Sequence, residues 1–240
     1  MKDNLQDLVQ HTLDLQCVDL VKIEGTATET LIHGIAEDRS VVIRGKFLNK
    51  IDDFEGVFGM PNMGTLKTIL GIDEYKDNAV ITIKSDAVKG PVGMNFKNAA
   101  GDFTNDYRFM AKEIVEDKLR TVKFKGVNWH VEVEPTMAAI MRLKSMASAN
   151  PEEKTFVMKT DDGDLKCYFG DHSTHAGNFV FQADVEGELK RAWHWPVQHV
   201  INILSLNGDK TMRISDDGAT EITVNSGIAE YSYVMPAQSK

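Results

Sequence analysis

Asp171-His172-Ser173-Thr174-His175 places one carboxylate and two imidazoles in a single short segment, donor types that a divalent metal accepts. A metal-dependent hydrolase using Asp171, His172 and His175 is the enzymatic chemistry this segment would support. It stands beside Ala176-Gly177 between two strand-like stretches, where polar residues collect simply because loops are solvated, and no further ligand cluster is in view. A solvent-exposed loop without metal is the expectation. Trp193-His194-Trp195-Pro196 follows Lys190-Arg191, and aromatics beside cations can stack on bases. The preferred alternative is a loop packed over the core and stapled to the helix that Pro196 begins.

Other short motifs fall away on chemical grounds. Gly64-Thr65-Leu66-Lys67-Thr68 lacks the Gly-Lys-Ser/Thr tripeptide that sets a lysine against phosphate, so it reads as a helix start. Gly90-Pro91-Val92-Gly93 has no dinucleotide fingerprint around it and reads as a turn. No serine–histidine–acid spacing and no paired-carboxylate motif stands out. The expectation is a protein that is not an enzyme and needs no cofactor.

Composition narrows the remaining classes. A chain of 240 residues with 42% hydrophobic content has room for two cored domains. Apolar runs such as Val41-Val42-Ile43 are far too short to cross a bilayer, and the N-terminus lacks the pattern of a signal peptide, so no membrane partner and a cytoplasmic setting are expected. Cys17 and Cys167 lie far apart without CxxC or Cys/His spacing, which predicts reduced, partly buried thiols. The net charge of −9 argues against a compact DNA-coating factor, which would normally be basic. It leaves room for a protein whose few cations share one surface, where DNA contact is local and weak.

Residues 4–16 form an amphipathic helix, with Leu5, Leu8, Val9, Thr12, Leu13 and Leu15 on one side and Gln6, Asp7, Gln10, His11 and Asp14 on the other. Asp3 is its expected N-cap. Strands are expected at Leu20–Glu24, Thr30–Ala36 and Val41–Leu48, then a loop over Gly56–Gly64 and a short helix over Thr65–Ile72. Further strands follow at Val80–Ile83, Met94–Phe96 and Tyr107–Ala111. Lys112–Arg120 is too polar for a sheet and reads as a linker.

The series then begins again. Strands at Val122–Lys125 and Trp129–Glu134 alternate as half-buried strands do. A helix runs from Pro135-Thr136 to about Ala149. Strands come next at Thr155–Lys159, Leu165–Phe169 and Asn178–Val185, with Asp162-Gly163 turning the first pair. A helix from Pro196 to Leu206 stops at Asn207-Gly208, and strands at Thr211–Ser215, Glu221–Asn225 and Tyr231–Met235 close the chain. One order of elements met twice, with a polar linker between, points to duplicated domains: residues 1–112 and 122–240, joined by 113–121. The junctions match too, Leu66–Ile72 before Ala79–Ile83 and Val200–Leu206 before Lys210–Ile214. The fold class is α+β.

This duplicated pattern, with the helix ending Ile203-Leu204-Ser205-Leu206 and the closing Tyr231-Ser232-Tyr233-Val234-Met235-Pro236-Ala237, resembles DNA sliding clamps. The tail is similar to those of eukaryotic and archaeal clamps, the length and style to tailed-phage clamps. The resemblance implies helices lining the inside of a ring and β-sheets outside, closed as a homotrimer. It also implies double-stranded DNA held by topology, with a DNA polymerase and a clamp loader as partners. DNA-facing residues are then Lys67, Arg142, Lys144, Lys190, Arg191 and His199. On the helix over 136–149, Ala138, Arg142, Ser145 and Ala149 oppose Met137, Ile140, Leu143 and Ala147, while Lys144 snorkels from the apolar arc. By position, the partner-peptide pocket falls to Tyr233, Val234, Met235 and Pro236, with Ile114, Val115 and Leu119 of the linker as its other lip. Asp7 and Asp14 on a DNA-facing helix depart from this scheme. A β-rich viral structural or assembly protein is the alternative.

Overall fold

The computed structural model describes residues 1–87, 90–120, 126–171 and 176–238. It divides into two compact units, Met1–Lys123 with Asn225–Tyr231, and Phe124–Val224 with Ser232–Lys240. The final strand therefore contributes to both.

In the first unit, α1 (Lys2–Thr12) runs into a turn of 3-10 helix, Leu13–Leu15. Leu5 and Leu8 are fully buried, as the apolar periodicity requires. Met1, rather than Asp3, occupies the N-cap position, and Asp3 falls in the first turn, where a carboxylate still favours the helix dipole. Strands β1 (Leu20–Gly25), β2 (Thr30–Ile35), β3 (Val42–Phe47) and β4 (Gly56–Pro61) make an antiparallel sheet ordered β4-β1-β2-β3. The expected loop over Gly56–Gly64 is thus mostly strand. One of its glycines serves a close approach: a Cβ on Gly59 would stand 2.8 Å from the Val115 side chain.

Helix α2 (Met63–Leu70) packs on α1 and buries Met63, Leu66, Ile69 and Leu70. Strands β5 (Val80–Asp86), β6 (Gly90–Lys97) and β7 (Thr104–Arg108) form a separate antiparallel sheet in that order. The expected turn Gly90–Gly93 lies inside β6. The expected polar linker is helix α3 (Lys112–Lys118), which packs on β4 through the fully buried Val115. Beyond it, the expected strand Val122–Lys125 lies outside the described residues. After β3, Leu48 N donates to Ile228 O at 2.9 Å, and β3 pairs with the first residues of β15 (Ala229–Pro236).

The second unit repeats the order. Strand β8 (Val131–Val133) precedes helix α4 (Met137–Ala149), whose N-cap Thr136 accepts from Ala139 N at 3.1 Å. Strands β9 (Thr155–Asp161), β10 (Asp164–Phe169), β11 (Gly177–Gln182) and β12 (Trp193–Pro196) form a sheet ordered β11-β10-β9-β12. Asp162 and Gly163 turn the β9–β10 hairpin at φ 54° and 81°, the left-handed pair a tight hairpin favours. Trp193–Pro196, expected as a loop, is a strand paired with β9, and Trp195 is fully buried. Helix α5 (Val197–Leu204) follows, then β13 (Asp209–Ser215), β14 (Ala219–Asn225) and β15, in the spatial order β15-β14-β13-β8.

Candidate nucleic-acid interface and partner cleft

Each unit presents a packed pair of helices, α1 with α2 and α4 with α5. Their exposed positions include Thr65, Lys67 and Thr68 on α2; Met137, Ala138, Met141, Arg142 and Ser145 on α4; and Gln198 on α5, with Ser205 just after it. Helices α2, α4 and α5 carry no aspartate or glutamate over their 8, 13 and 8 residues. In a chain with 36 acidic against 27 basic residues, negative charge is kept off these three helices, and Glu153 is, among the described residues, the one carboxylate that lines the groove between α4 and α5. A polyanion can approach such a surface without repulsion, and small neutral side chains offer nothing that grips bases. Met137 departs from the expected apolar arc: it is 71% exposed, with Met141 one turn on at 54%.

Of the carboxylates at the first helix, Asp3 is exposed in its first turn, and the two that conflict with a DNA-facing surface, Asp7 and Asp14, are engaged. Asp7, expected on the solvated face, is only 7% exposed. Its Oδ2 accepts from the Tyr231 hydroxyl at 2.8 Å, and His11 Nδ1 lies 3.3 Å from its Oδ1. The His11 and Tyr231 rings stack, centroids 4.6 Å apart and nearly parallel. Desolvation is the largest influence on Asp7 and acts to raise its pKa. The hydrogen bonds of His11 and Tyr231, the His11 charge and Ser226 together outweigh it and hold the carboxyl below its ordinary value. Asp14 is exposed, but Lys67 Nζ meets its Oδ1 at 2.6 Å. The charge that conflicted with a DNA-facing helix is thus buried in one case and paired in the other.

The expected DNA-facing residues divide. Lys67, Arg142, Lys144 and His199 all stand on these helices. Lys144 is half-buried in a groove of about 650 Å³ between α4 and α5, with Ser148, Lys154 and Gln198 along it. Lys190 and Arg191 are on no helix. They precede β12, where Lys190 faces Glu188 at 3.6 Å and Arg191 N donates to Asp216 Oδ1 at 2.8 Å.

The expected partner pocket is corrected. Tyr233 and Met235 are fully buried and Val234 is 6% exposed, because β15 alternates and turns Tyr231, Tyr233 and Met235 into the core. Of that tail only Pro236 is exposed. Val115 is buried under Gly59's strand, and Ile114 is 52% exposed. Leu119 instead lines a cleft of about 350 Å³ within the first unit, together with Leu20, Ile35, Pro61 and Met110. Arg39, Lys118 and Arg120 line it as well, as do Asp19 and Glu37. Leu20 and Ile35 were visible as apolar residues at positions of β1 and β2 whose neighbours on the same face, Lys22 and His33, are polar.

Among the described residues, no group of three or more His, Cys, Asp or Glu side chains is placed to hold a metal ion. Asp171 is exposed; His172 and His175 lie outside the described residues. Burial pushes the Cys17 thiol up to about 11, and Cys167 is fully buried with its pKa raised for the same reason. Among the described residues no helix is long and apolar enough to cross a membrane.

No family model and no curated protein matches the chain. Solved structures do. PCNA from Thermococcus kodakaraensis superposes with a TM-score of 0.69 at 10% identity, over 99% of this chain and 97% of that one. PCNA from A. fulgidus, bound to the C-terminal region of FEN-1, gives 0.72 at 9% identity over 100% and 97%. The PCNA2–PCNA3 complex of Sulfolobus tokodaii gives 0.69 at 11% over 100% and 98%. The chain has the sliding-clamp fold. At such identities the likeness is one of fold, and it spans both units of this clamp-like chain from end to end. The α+β class and the helix-and-sheet repeat expected from sequence are those of this fold.

Proposed function

We propose that the chain is a DNA polymerase processivity factor, a non-catalytic ring that encircles duplex DNA and tethers a polymerase after a clamp loader has placed it. The observation that carries this reading is the absence of carboxylates from α2, α4 and α5 in an acidic chain with the sliding-clamp fold. The scattered cations, Lys67, Arg142 and Lys144, suit loose, salt-sensitive contact with phosphates rather than tight binding.

Ring closure as a homotrimer is supported by the strand repeat. Within the first unit, β3 pairs with the start of β15. The counterparts of these strands in the duplication are β11 and β7, and both are sheet edges. Pairing β7 of one copy with β11 of the next repeats the chain's own junction and covers two exposed edges. Light scattering at micromolar concentration tests the trimer. Loaded protein should persist on closed circular DNA and run off after linearisation; equal loss from both forms overturns the clamp reading.

The partner site of this reading is the cleft lined by Leu20, Ile35, Pro61, Met110 and Leu119. A clamp of this fold has been solved with the C-terminal region of FEN-1 bound, and an extended segment from a polymerase would find here a small pocket of mixed character, with Leu20, Ile35, Pro61, Met110 and Leu119 among charged walls.

A further inference from the structure

Among the described residues, the two units differ in the strand that flanks the one following the second helix. In the second unit, strand β13 is flanked by β8, in the register Met212↔Val133, Arg213↔Glu132 and Ile214↔Val131. Val131 and Val133 turn inward, and beside them Met212 and Ile214 are 0% and 1% exposed. In the first unit the corresponding strand is β5, where Ile81 and Ile83 stand in the places of Met212 and Ile214. Among the described residues no strand lies beside it on its outer side: β5 is the edge of its sheet and its one strand partner there is β6. Ile81 and Ile83 point to the side of the sheet that holds the buried Met94 and Phe96, yet remain half-exposed, and no residue of β5 is buried. Val80 on the opposite side is 56% exposed.

An edge strand with exposed β-branched residues is a template for another strand unless something blunts it. Here the blunting covers only one end. The register shifts between Lys84 and Ser85, and Lys84 is tied to Asp106 at 2.7 Å on the polar side of the sheet. Val80–Ile83 is left regular, a stretch long enough for a partner the size of the three-residue β8.

We infer that the open edge of β5, at Val80–Ile83, receives an extended segment of a partner protein as an added antiparallel strand. The chain itself shows what that segment must look like. In β8, two β-branched apolar residues separated by one acidic residue seal the core, Val131 and Val133 inward with Glu132 outward. The occupant is accordingly a peptide with valine or isoleucine at alternate positions and a polar residue between them. Main-chain hydrogen bonds would supply affinity and the two small apolar side chains specificity. This site is separate from the cleft at Leu119 and does not depend on the clamp reading.

The test uses the full chain and a fluorescent peptide of residues 129–135, the segment that contains β8. Fluorescence anisotropy should show saturable binding. A peptide carrying Val131→Asp and Val133→Asp should bind roughly tenfold or more weakly, the loss expected when anchors are removed. Ile81→Lys with Ile83→Lys in the protein should abolish binding. Amide hydrogen exchange of the unaltered protein provides a second readout that needs no variant: saturating peptide should slow exchange within Val80–Lys84. Absence of binding, or protection that appears elsewhere and leaves these amides unchanged, overturns the proposal.

Discussion

The Tyr231 hydroxyl donates to Asp7 Oδ2 across 2.8 Å, joining two residues 224 positions apart in the chain. Both are buried within the first unit, and His11 closes the group by stacking on the tyrosine ring. The contact fastens helix α1 to the start of β15 and removes a negative charge from the helix surface. Tyr231→Phe should leave the Asp7 carboxylate short of a donor and destabilise the protein by about 1–3 kcal/mol. Urea unfolding of the two proteins measures the difference, and a midpoint unchanged between them would show the bond to be incidental.

Acid sensitivity should follow from the same carboxylate. Its folded-state pKa lies below the ordinary 3.8 despite burial, because the bonds and charge supplied by its neighbours prevail. The folded state therefore binds its proton less readily than the unfolded chain does. The resulting stability is fully present above pH 3.8 and is lost as pH falls through the lower folded value. Asp7→Asn should flatten this part of the acid limb. Thermal melts at closely spaced pH values below 5 would detect it, and an acid limb of undiminished slope in the variant would assign the effect to other groups.

Charge on the helix faces should govern retention on DNA. Ser145→Glu on α4 and Thr68→Glu on α2 place carboxylates at exposed positions where α2 and α4 have none. Surface substitutions of this kind usually alter stability by less than about 0.5 kcal/mol. Loading onto circular DNA should fall and the salt limit for retention should drop, with the mass in solution unchanged. Wild-type retention in the double variant would place DNA on another surface.

The cleft and the tail can be told apart by substitution. Leu119→Ala should weaken binding of an apolar partner peptide by about 2 kcal/mol if it acts as an anchor, with little loss of stability. Tyr233→Ala removes a fully buried aromatic ring and should cost about 3–5 kcal/mol of folding stability. Isothermal titration beside thermal melts separates these outcomes. A Leu119→Ala protein that binds normally would remove the cleft from consideration.

Most strands were legible because alternation survives in the sequence: Phe156 and Met158 in β9, or Leu165, Cys167 and Phe169 in β10, face one way with polar residues between. The errors arose where a residue answers to a distant neighbour. Gly59 looks like punctuation for a loop, but it is there because Val115 lies across its strand. A helical wheel sends Asp7 to solvent, since nothing local announces Tyr231. The polar segment Lys112–Lys118 hides a helix whose one buried side chain is Val115. The tail differs for another reason: its alternation is readable in the sequence, and the inward set contains Tyr233 and Met235, residues expected to line a pocket. The candidate cleft draws Leu20, Ile35, Pro61, Met110 and Leu119 from five places in the sequence, so only the fold assembles it.

Val115 seated over Gly59 has a consequence for recognition kinetics. Met110 and Gly59 exchange backbone hydrogen bonds of 2.8 and 2.9 Å, and the following helix is keyed into the sheet by one side chain fitting against a position where even a methyl group would collide. The helix that precedes Leu119 is thereby fixed to the sheet at Val115, and Leu119 N donates to Val115 O at 2.8 Å. If the cleft takes a peptide as proposed, that peptide meets a lip already held against the sheet, and more of the entropic penalty falls on the peptide. On that proposal, partners competing for the cleft would be ranked by how readily each straightens, and hence by their own stiffness as much as by the side chains they present.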